Sequence, residues 1–322
     1  MPLLAEGALL MNEYGATLHT LRGGATTAVL GVSIVNFYSA ESIRLLLESL
    51  RRFSENMKIV VCILDNSDDL TGQEDHELSR IVQQVSAPSF DVSIMQAPRN
   101  LGYGAGNNLA VAYLLENEID LIWVLNPDTK VRGSVIGMLE EVRSSHADIW
   151  ATSTLERAEH TRGFGTLNVI TGSGKTSKSH SPKKGMSRID YPAGHSILFS
   201  RRAWTMLDGF DERYFLFMEE ADMALRAYSL GLRIDSITSV MVEHDAGLTT
   251  GSTSDLLAKS CVAFREATKS RLVFFRIHFP ARVPAVIFFR LAYAVMVLVR
   301  GNWRGALAVL QGLLSGMRKV PK

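Results

Sequence analysis

At 322 residues with 47% hydrophobic content, the chain has the mass for one large α/β domain or two small ones, and a disordered chain is excluded. Its two cysteines, Cys62 and Cys261, lie far apart among apolar neighbours, which excludes a disulfide framework or a cysteine metal site and suits buried thiols in a reducing compartment. The net charge of +1 hides an asymmetry: from Ala267 onward there are ten Lys/Arg and no Asp/Glu, so the preceding part is acidic.

Residues 1–26 read as a short extension, since Met1 to Gly24 has neither the basic start nor the long apolar core of a secretory signal. The β-branched run Ala28 to Asn36 predicts a strand. Ser39 then stands where an N-cap would start a helix over residues 40–53, with Leu45, Leu46, Ser49, Leu50 and Phe53 on one face. Lys58 to Leu64 predicts a second strand, ending in the polar loop Asp65-Asn66-Ser67-Asp68-Asp69. A third, Asp91 to Gln96, runs into Asn100-Leu-Gly-Tyr-Gly-Ala-Gly-Asn-Asn108 and a helix through Leu115. The fourth, Asp120 to Leu125, stops at Asn126-Pro127-Asp128, and a helix follows near residues 134–142.

Nearly continuous apolar strands alternating with helices predict a mainly parallel sheet covered on both faces. Ligands of such sheets bind beyond the carboxyl ends of the strands. Asn36, Asp65, Asn100 and Asp128 all take that position, and four polar residues on successive strands read as a site rather than as turn chemistry alone.

Residues 168–188 shift to Gly, Ser, Lys and Thr and read as a mobile loop. Beyond it, Ser196 to Phe199 is strand-like and residues 201–207 helical. The segment Gly209 to Asp222 then carries an aromatic run straight into Glu219, Glu220 and Asp222. A helix beginning at Glu219 would put Glu219 and Asp222 on one face and turn Glu220 elsewhere. Two readings stand here: acids favoured at a helix N-terminus by the macrodipole, or buried carboxylates with a catalytic task. That helix runs to Leu230, Gly231 stops it, and Ile234 to Val242 is a last strand leading into Glu243-His244-Asp245.

Three stretches resemble phosphate loops. Gly172-Ser-Gly-Lys-Thr176 has Val169 where a Walker A loop needs its first glycine. In Gly102-Tyr-Gly-Ala-Gly-Asn107 the third glycine comes one position early for a dinucleotide fingerprint. Leu21 to Thr27 resembles the glycine loop of sugar-phosphate nucleotidylyltransferases but precedes the first strand instead of following it.

In order, Val32-Ser-Ile-Val-Asn36, Leu64-Asp-Asn-Ser67, Asn100 to Asn108, Leu125-Asn-Pro-Asp-Thr129, Gly209-Phe-Asp-Glu212, Glu219-Glu-Ala-Asp222 with Arg226, and His244 followed by Gly247 resemble the inverting family-2-type glycosyltransferases of GT-A fold, in their rhamnosyltransferase-like branch. The resemblance spans roughly residues 28 to 250 and rests on the order of the motifs more than on any one of them. It implies a Rossmann-like, mainly parallel α/β sheet. A GT-A domain would span 27–265, with a nucleotide half at 27–145, the loop at 168–188 and an acceptor half at 189–250; a helical tail would span 266–322.

For the site, the resemblance implies a divalent cation, Mn2+ or Mg2+, held by Asp128 of an Asn126-Pro127-Asp128 variant of the Asp-x-Asp motif, with His244 as a second ligand. Asp65 is expected to accept a hydrogen bond from a uracil or thymine ring nitrogen, with Asn36, Asn100, Gly102 and Asn107 lining the same nucleotide-sugar pocket. Glu220 matches the general base, standing where aspartate is commoner, with Glu219 and Asp222 as supports and Arg226 as the i, i+4 partner of Asp222. Gly194 and His195 fall on the acceptor side. The implied reaction moves a sugar from a dTDP- or UDP-sugar, dTDP-rhamnose above all, to a hydroxyl of a lipid-linked or polysaccharide acceptor in cell-surface glycan synthesis. A nucleotidylyltransferase and a non-catalytic nucleotide-sugar or glycan-binding module are the alternatives.

The tail from Arg271 to Leu298 is apolar but interrupted by Arg276, His278, Arg282 and Arg290, so no uninterrupted membrane span is expected. It suits either the surface of an anionic bilayer, which would make the protein cytoplasmic and peripheral, or packing on the catalytic domain or a second copy. Nucleic acid is not an expected partner, because no recognition motif accompanies these basic residues.

Overall fold

The computed structural model describes residues 28–69, 71–156, 159–177, 185, 187–244 and 255–318. The extension at 1–26, Gly247 and most of 178–188 lie outside the described residues.

Four strands run parallel: β1 (Val29–Asn36), β2 (Lys58–Asp65), β3 (Phe90–Gln96) and β4 (Leu121–Leu125), in the order β3-β2-β1-β4. The β-branched and aliphatic residues of β1, β2 and β4 are mostly buried on both faces, as parallel strands require. The sheet continues through β11 (Ser196–Ser200), β6 (Ile149–Glu156), β12 (Ile234–His244) and β5 (Thr129–Gly133), while β7 (Glu159–Thr161) pairs with β6. In this half the pairing is mixed. β11 runs antiparallel to β4 and β6, and β5 antiparallel to β12.

Helices cover both faces. Onto one pack α1 (Ala40–Arg51), α2 (Gln73–Val85) and α4 (Val135–Ser144), through Ile43, Leu46, Leu47, Leu78, Ile81 and Met138. Onto the other pack α3 (Tyr103–Leu115), α5 (Arg201–Leu207) and α6 (Glu219–Ser229), through Val111, Leu114, Trp204, Met223 and Ala224. The α2 helix has no counterpart in the sequence reading. The buried stripe of α1 is rotated by about one residue from the one expected, with Ile43 and Leu47 inside and Ser49 turned to accept from the Val131 N–H. Ser39 precedes α1 as expected, but its hydroxyl bonds the Phe37 carbonyl, and Glu74 of α2 accepts from the Ala40 N–H instead.

A second sheet, β10 (Arg188–Pro192), β8 (Phe164–Asn168) and β9 (Gly174–Thr176), occupies part of the stretch expected as loop. Its strands close a third core with the outer face of α6 and with α7 (Cys261–His278), built on Leu167, Ile189, Ala221, Leu225, Phe274 and Phe275. The boundary expected at 265/266 therefore falls inside a helix that belongs to the domain. Cys62 is buried, which pushes its thiol up to about 12, whereas Cys261 at the first position of α7 is exposed, correcting the expectation of two buried thiols.

The last helices, α8 (Val283–Val299) and α9 (Trp303–Met317), pack with α7. Gly305, Gly312 and Gly316 let α9 approach α7, since a Cβ at Gly312 would collide with the Arg265 carbonyl. Against the expectation, Pro280 to Val299 is long and apolar enough to cross a membrane by length and composition. Arg282 and Arg290 interrupt it too sparsely to lower its overall hydropathy below that of a span.

Candidate active site

The antiparallel course of β11 gathers the site. Ser196 pairs with Leu125, so Gly194 and His195, just before β11, lie beside Asn126, just after β4; the Asn126 N–H donates to the His195 carbonyl. At the far edge His244 ends β12 opposite Thr129 of β5, next to Asp128. The His195 and His244 rings stack, with centroids 4.4 Å apart. His195 bonds the Thr154 hydroxyl through Nε2, and burial beside His244 holds its pKa well below the usual imidazole value, so it is neutral.

Asp128 is buried, and among the described residues its Oδ1 has no hydrogen-bond partner. That oxygen lies 3.6 Å from His244 Nε2. Two ligands at about 2 Å from a divalent ion in octahedral array stand roughly 3 Å apart, so carboxylate and imidazole are placed to share one ion, which would also satisfy the orphaned oxygen. Among the described residues no set of three His, Cys, Asp or Glu side chains converges on a metal position. The remaining positions would fall to donor phosphates and water.

At the carboxyl ends of β1 and β2, Asn36 and Asp65 are both buried. Asn36 Nδ2 donates to Asp65 Oδ1 at 3.0 Å and to Glu74 at 2.9 Å, and its Oδ1 accepts from the Ser39 N–H. Its amide is thus engaged in holding Asp65. Asn100 acts likewise: its Oδ1 accepts from the Gly102 N–H and from Asn66, fixing the glycine-rich turn. Asn107 is interior, accepting from Ser33 and donating to the Tyr103 carbonyl, so it pins α3 to β1. Gly102 has φ of +82° and abuts the Phe215 carbonyl, where a Cβ would collide. Gly102→Ala is expected to destabilise by more than about 1 kcal/mol, seen as a lower denaturant midpoint at unchanged m-value.

The α6 helix begins abruptly. Phe217 and Met218 both have positive φ, so the aromatic run turns sharply and exposes the first-turn N–H groups to the carboxylates that follow. Glu219 and Asp222 point into the protein, as the helical spacing predicts, and Glu220 turns into a cleft. Burial and the neighbouring Glu220 charge push Glu219 well above the ordinary carboxylate range. Glu220 is raised by burial too, but its own N–H and that of Gly194 donate to it and oppose the rise. Both acids are thus raised, Glu219 the further of the two. A Cβ on Gly194 would strike Glu220 Oε1, so only glycine permits this approach, and Tyr103 donates its hydroxyl proton to the Gly194 carbonyl.

Asp222 is a strut. Its Oδ2 accepts from Arg226 Nε at 2.7 Å, its Oδ1 lies 2.7 Å from His278 Nε2, and Arg226 continues to the Leu207 and Gly209 carbonyls. The expected Asp222–Arg226 pair is present. The tie to His278, from the helix that follows, had no sequence signal, because 56 residues separate the partners.

Glu220, Gly194, His195, Thr154, Glu156 and Tyr191 line a cavity of about 370 Å³ beside these elements. A half-buried carboxylate with a neutral histidine on one wall can accept a proton from a bound hydroxyl.

Protonation of Glu219 has a consequence for stability. Its folded pKa lies above the unfolded value near 4.5, so the folded state keeps a proton that the unfolded state releases as pH rises, and stability falls across that window. Glu219→Gln is expected to raise Tm at pH 8, and the two melting curves should converge below pH 4.5.

No protein-family model matches the chain. Rhamnosyltransferase WbbL of Escherichia coli K12 is 27% identical over 233 residues, covering 67% of this chain and 83% of that protein. The low-salt glycan biosynthesis hexosyltransferase Agl10 of Haloferax volcanii is 24% identical over 230 residues, covering 67% of each chain. The mannosyltransferase PcManGT of Pyrobaculum calidifontis, solved with GDP-Man and Mn2+, superposes with a TM-score of 0.52 over 97% of both chains at 11% identity, a likeness of fold. The chain has the GT-A fold and is similar in sequence to a rhamnosyltransferase and a hexosyltransferase. Within this fold, the strand ends carrying Asp65 and Asp128 belong to the parallel half of the sheet, and the cavity carrying Glu220 lies against the mixed half.

Proposed function

We propose that this glycosyltransferase moves a hexosyl unit, with rhamnose from dTDP-rhamnose as the first candidate, onto a hydroxyl of a lipid-linked glycan, with inversion at the anomeric carbon. The observation that carries the reading is Glu220, a half-buried carboxylate held by the Gly194 N–H in a cavity large enough for a sugar acceptor. Glu220 takes the proton of the acceptor hydroxyl as that oxygen bonds the anomeric carbon and the bond to the diphosphate breaks on the opposite face. A single displacement of this kind inverts the configuration and needs no covalent intermediate. Asp65, buried and engaged through Oδ1, keeps Oδ2 as an acceptor for the nucleobase.

Asp128 and His244 would hold a divalent ion, Mn2+ or Mg2+, which when bound neutralises charge on the leaving diphosphate. The names of WbbL and Agl10 support hexosyl transfer, and the Mn2+ of the mannosyltransferase supports a metal. Basic residues and the apolar α8 suit a location on the cytoplasmic face of a membrane.

Incubation of the protein with dTDP-rhamnose or UDP-hexoses and a glycan acceptor should release a nucleoside diphosphate; release of pyrophosphate would assign a nucleotidylyltransferase instead. In thermal-shift titrations, dTDP should stabilise the protein more with Mn2+ than without. Asp128→Asn should abolish that difference, and metal-independent stabilisation of the parent protein would remove the roles given to Asp128 and His244.

A further inference from the structure

The same cavity carries positive charge. Lys259 and Arg271 line it together with Glu220, and Arg290 of α8 is stacked 4.2 Å over Tyr293 and donates to Thr268 of the helix that bears Arg271. Among the described residues Arg271 makes one hydrogen bond, to the Ala267 carbonyl of its own helix, and Nε of both Arg271 and Arg290 is buried without a partner. Among the described residues no carboxylate pairs with any of the three. Glu266, on the same helix as Arg271, is taken by Arg265 and Lys269. Burial and mutual repulsion lower the pKa of Lys259 and of Arg290, and arginine does not escape by losing its proton. Half-buried like charges without a counter-ion are costly, and an anion with several oxygens entering the cavity removes that cost.

A second observation says what carries the anion. The helix that supplies Arg290 leaves a broad apolar face open, with Phe288 66%, Val295 59% and Val299 79% exposed, and α9 extends it through Trp303 and Leu314. Contiguous apolar surface on this scale marks a contact with protein or lipid. Cations in a cavity lined by α7, against which a helix with the length and composition of a membrane span packs through Arg290, match an amphiphile whose charged head meets the protein where its tail meets lipid.

Resting on the glycosyltransferase reading, we propose that Lys259 and Arg271, backed by Arg290, bind the diphosphate of a lipid-borne acceptor and so present its sugar hydroxyl to Glu220. Neither Asp65 nor Asp128, the nucleotide-side residues, lines this cavity.

Isothermal titration of the full chain with farnesyl diphosphate, inorganic pyrophosphate and dTDP tests this. Farnesyl diphosphate should bind at least tenfold more tightly than pyrophosphate. Lys259→Gln and Arg271→Gln should each weaken it at least tenfold while leaving dTDP affinity unchanged. Lys259 is half-buried and makes no side-chain hydrogen bond among the described residues, so its variant reports on the site even if Arg271→Gln fails to fold. Equal affinity for pyrophosphate and farnesyl diphosphate would overturn the lipid assignment in favour of a soluble phosphate. Loss of dTDP binding in the variants would hand the site to the donor, and unchanged farnesyl diphosphate binding would remove it. If the parent protein binds farnesyl diphosphate but no nucleotide, the glycosyltransferase reading fails while the diphosphate site stands.

Discussion

Replacing Glu220 with glutamine is expected to lower kcat by about 10²- to 10⁴-fold while the donor KM changes little, because the amide keeps the shape and loses the proton acceptor. The raised pKa of Glu220 adds a pH signature. The base must be ionised, so kcat should rise with pH through an apparent pKa above the ordinary carboxylate value of 4.5, and this acid limb should vanish in the variant. Initial rates of nucleoside diphosphate release from pH 4 to 9 measure both. An unchanged kcat in Glu220→Gln would remove the base assignment and leave the carboxylate as a binding group.

Replacing Asp222 with alanine is expected to destabilise the protein by about 3 to 5 kcal/mol, since removing one member of a buried ion pair strands the other. The stranded groups here are Arg226 and His278, both directed at a carboxylate that solvent does not reach. Arg226 would keep its bonds to the Leu207 and Gly209 carbonyls, which favours the low end of that range. Chemical denaturation gives the value. A loss under about 1 kcal/mol would mean that the Asp222 network contributes little and that the apolar third core holds α6 by itself.

Much of this site is visible in one dimension. The β-branched runs from Val29 to Leu125 announce strands because nothing but a covered parallel sheet buries both of their faces. Asp65 and Asp128 stand out because a carboxylate directly after such a strand is at the ligand-binding end by topology alone. The separation of Glu220 from Glu219 and Asp222 follows from helical spacing. Asn36, Asn100 and Asn107 were harder. An asparagine that meets a ligand and one that ties a loop look the same in sequence, and only the partners of each amide tell them apart. The short strands β5, β7 and β9 escaped because mixed and edge pairing relaxes the demand for continuous apolar residues, leaving little pattern to read.

By itself the sequence determined the alternation of strands and helices, the polar strand ends and the face on which each acid of α6 lies, all of which depend on residues a few positions apart. The tertiary structure decided what is distant along the chain. The reversal of β11 sets Gly194 beside Asn126 and lets Glu220 approach a residue with no side chain. The last strand brings His244 to Asp128, and α7 returns His278 to Asp222. Pairing register and helix packing are set by the burial of whole faces, a property of the assembled layers that no local stretch of sequence carries.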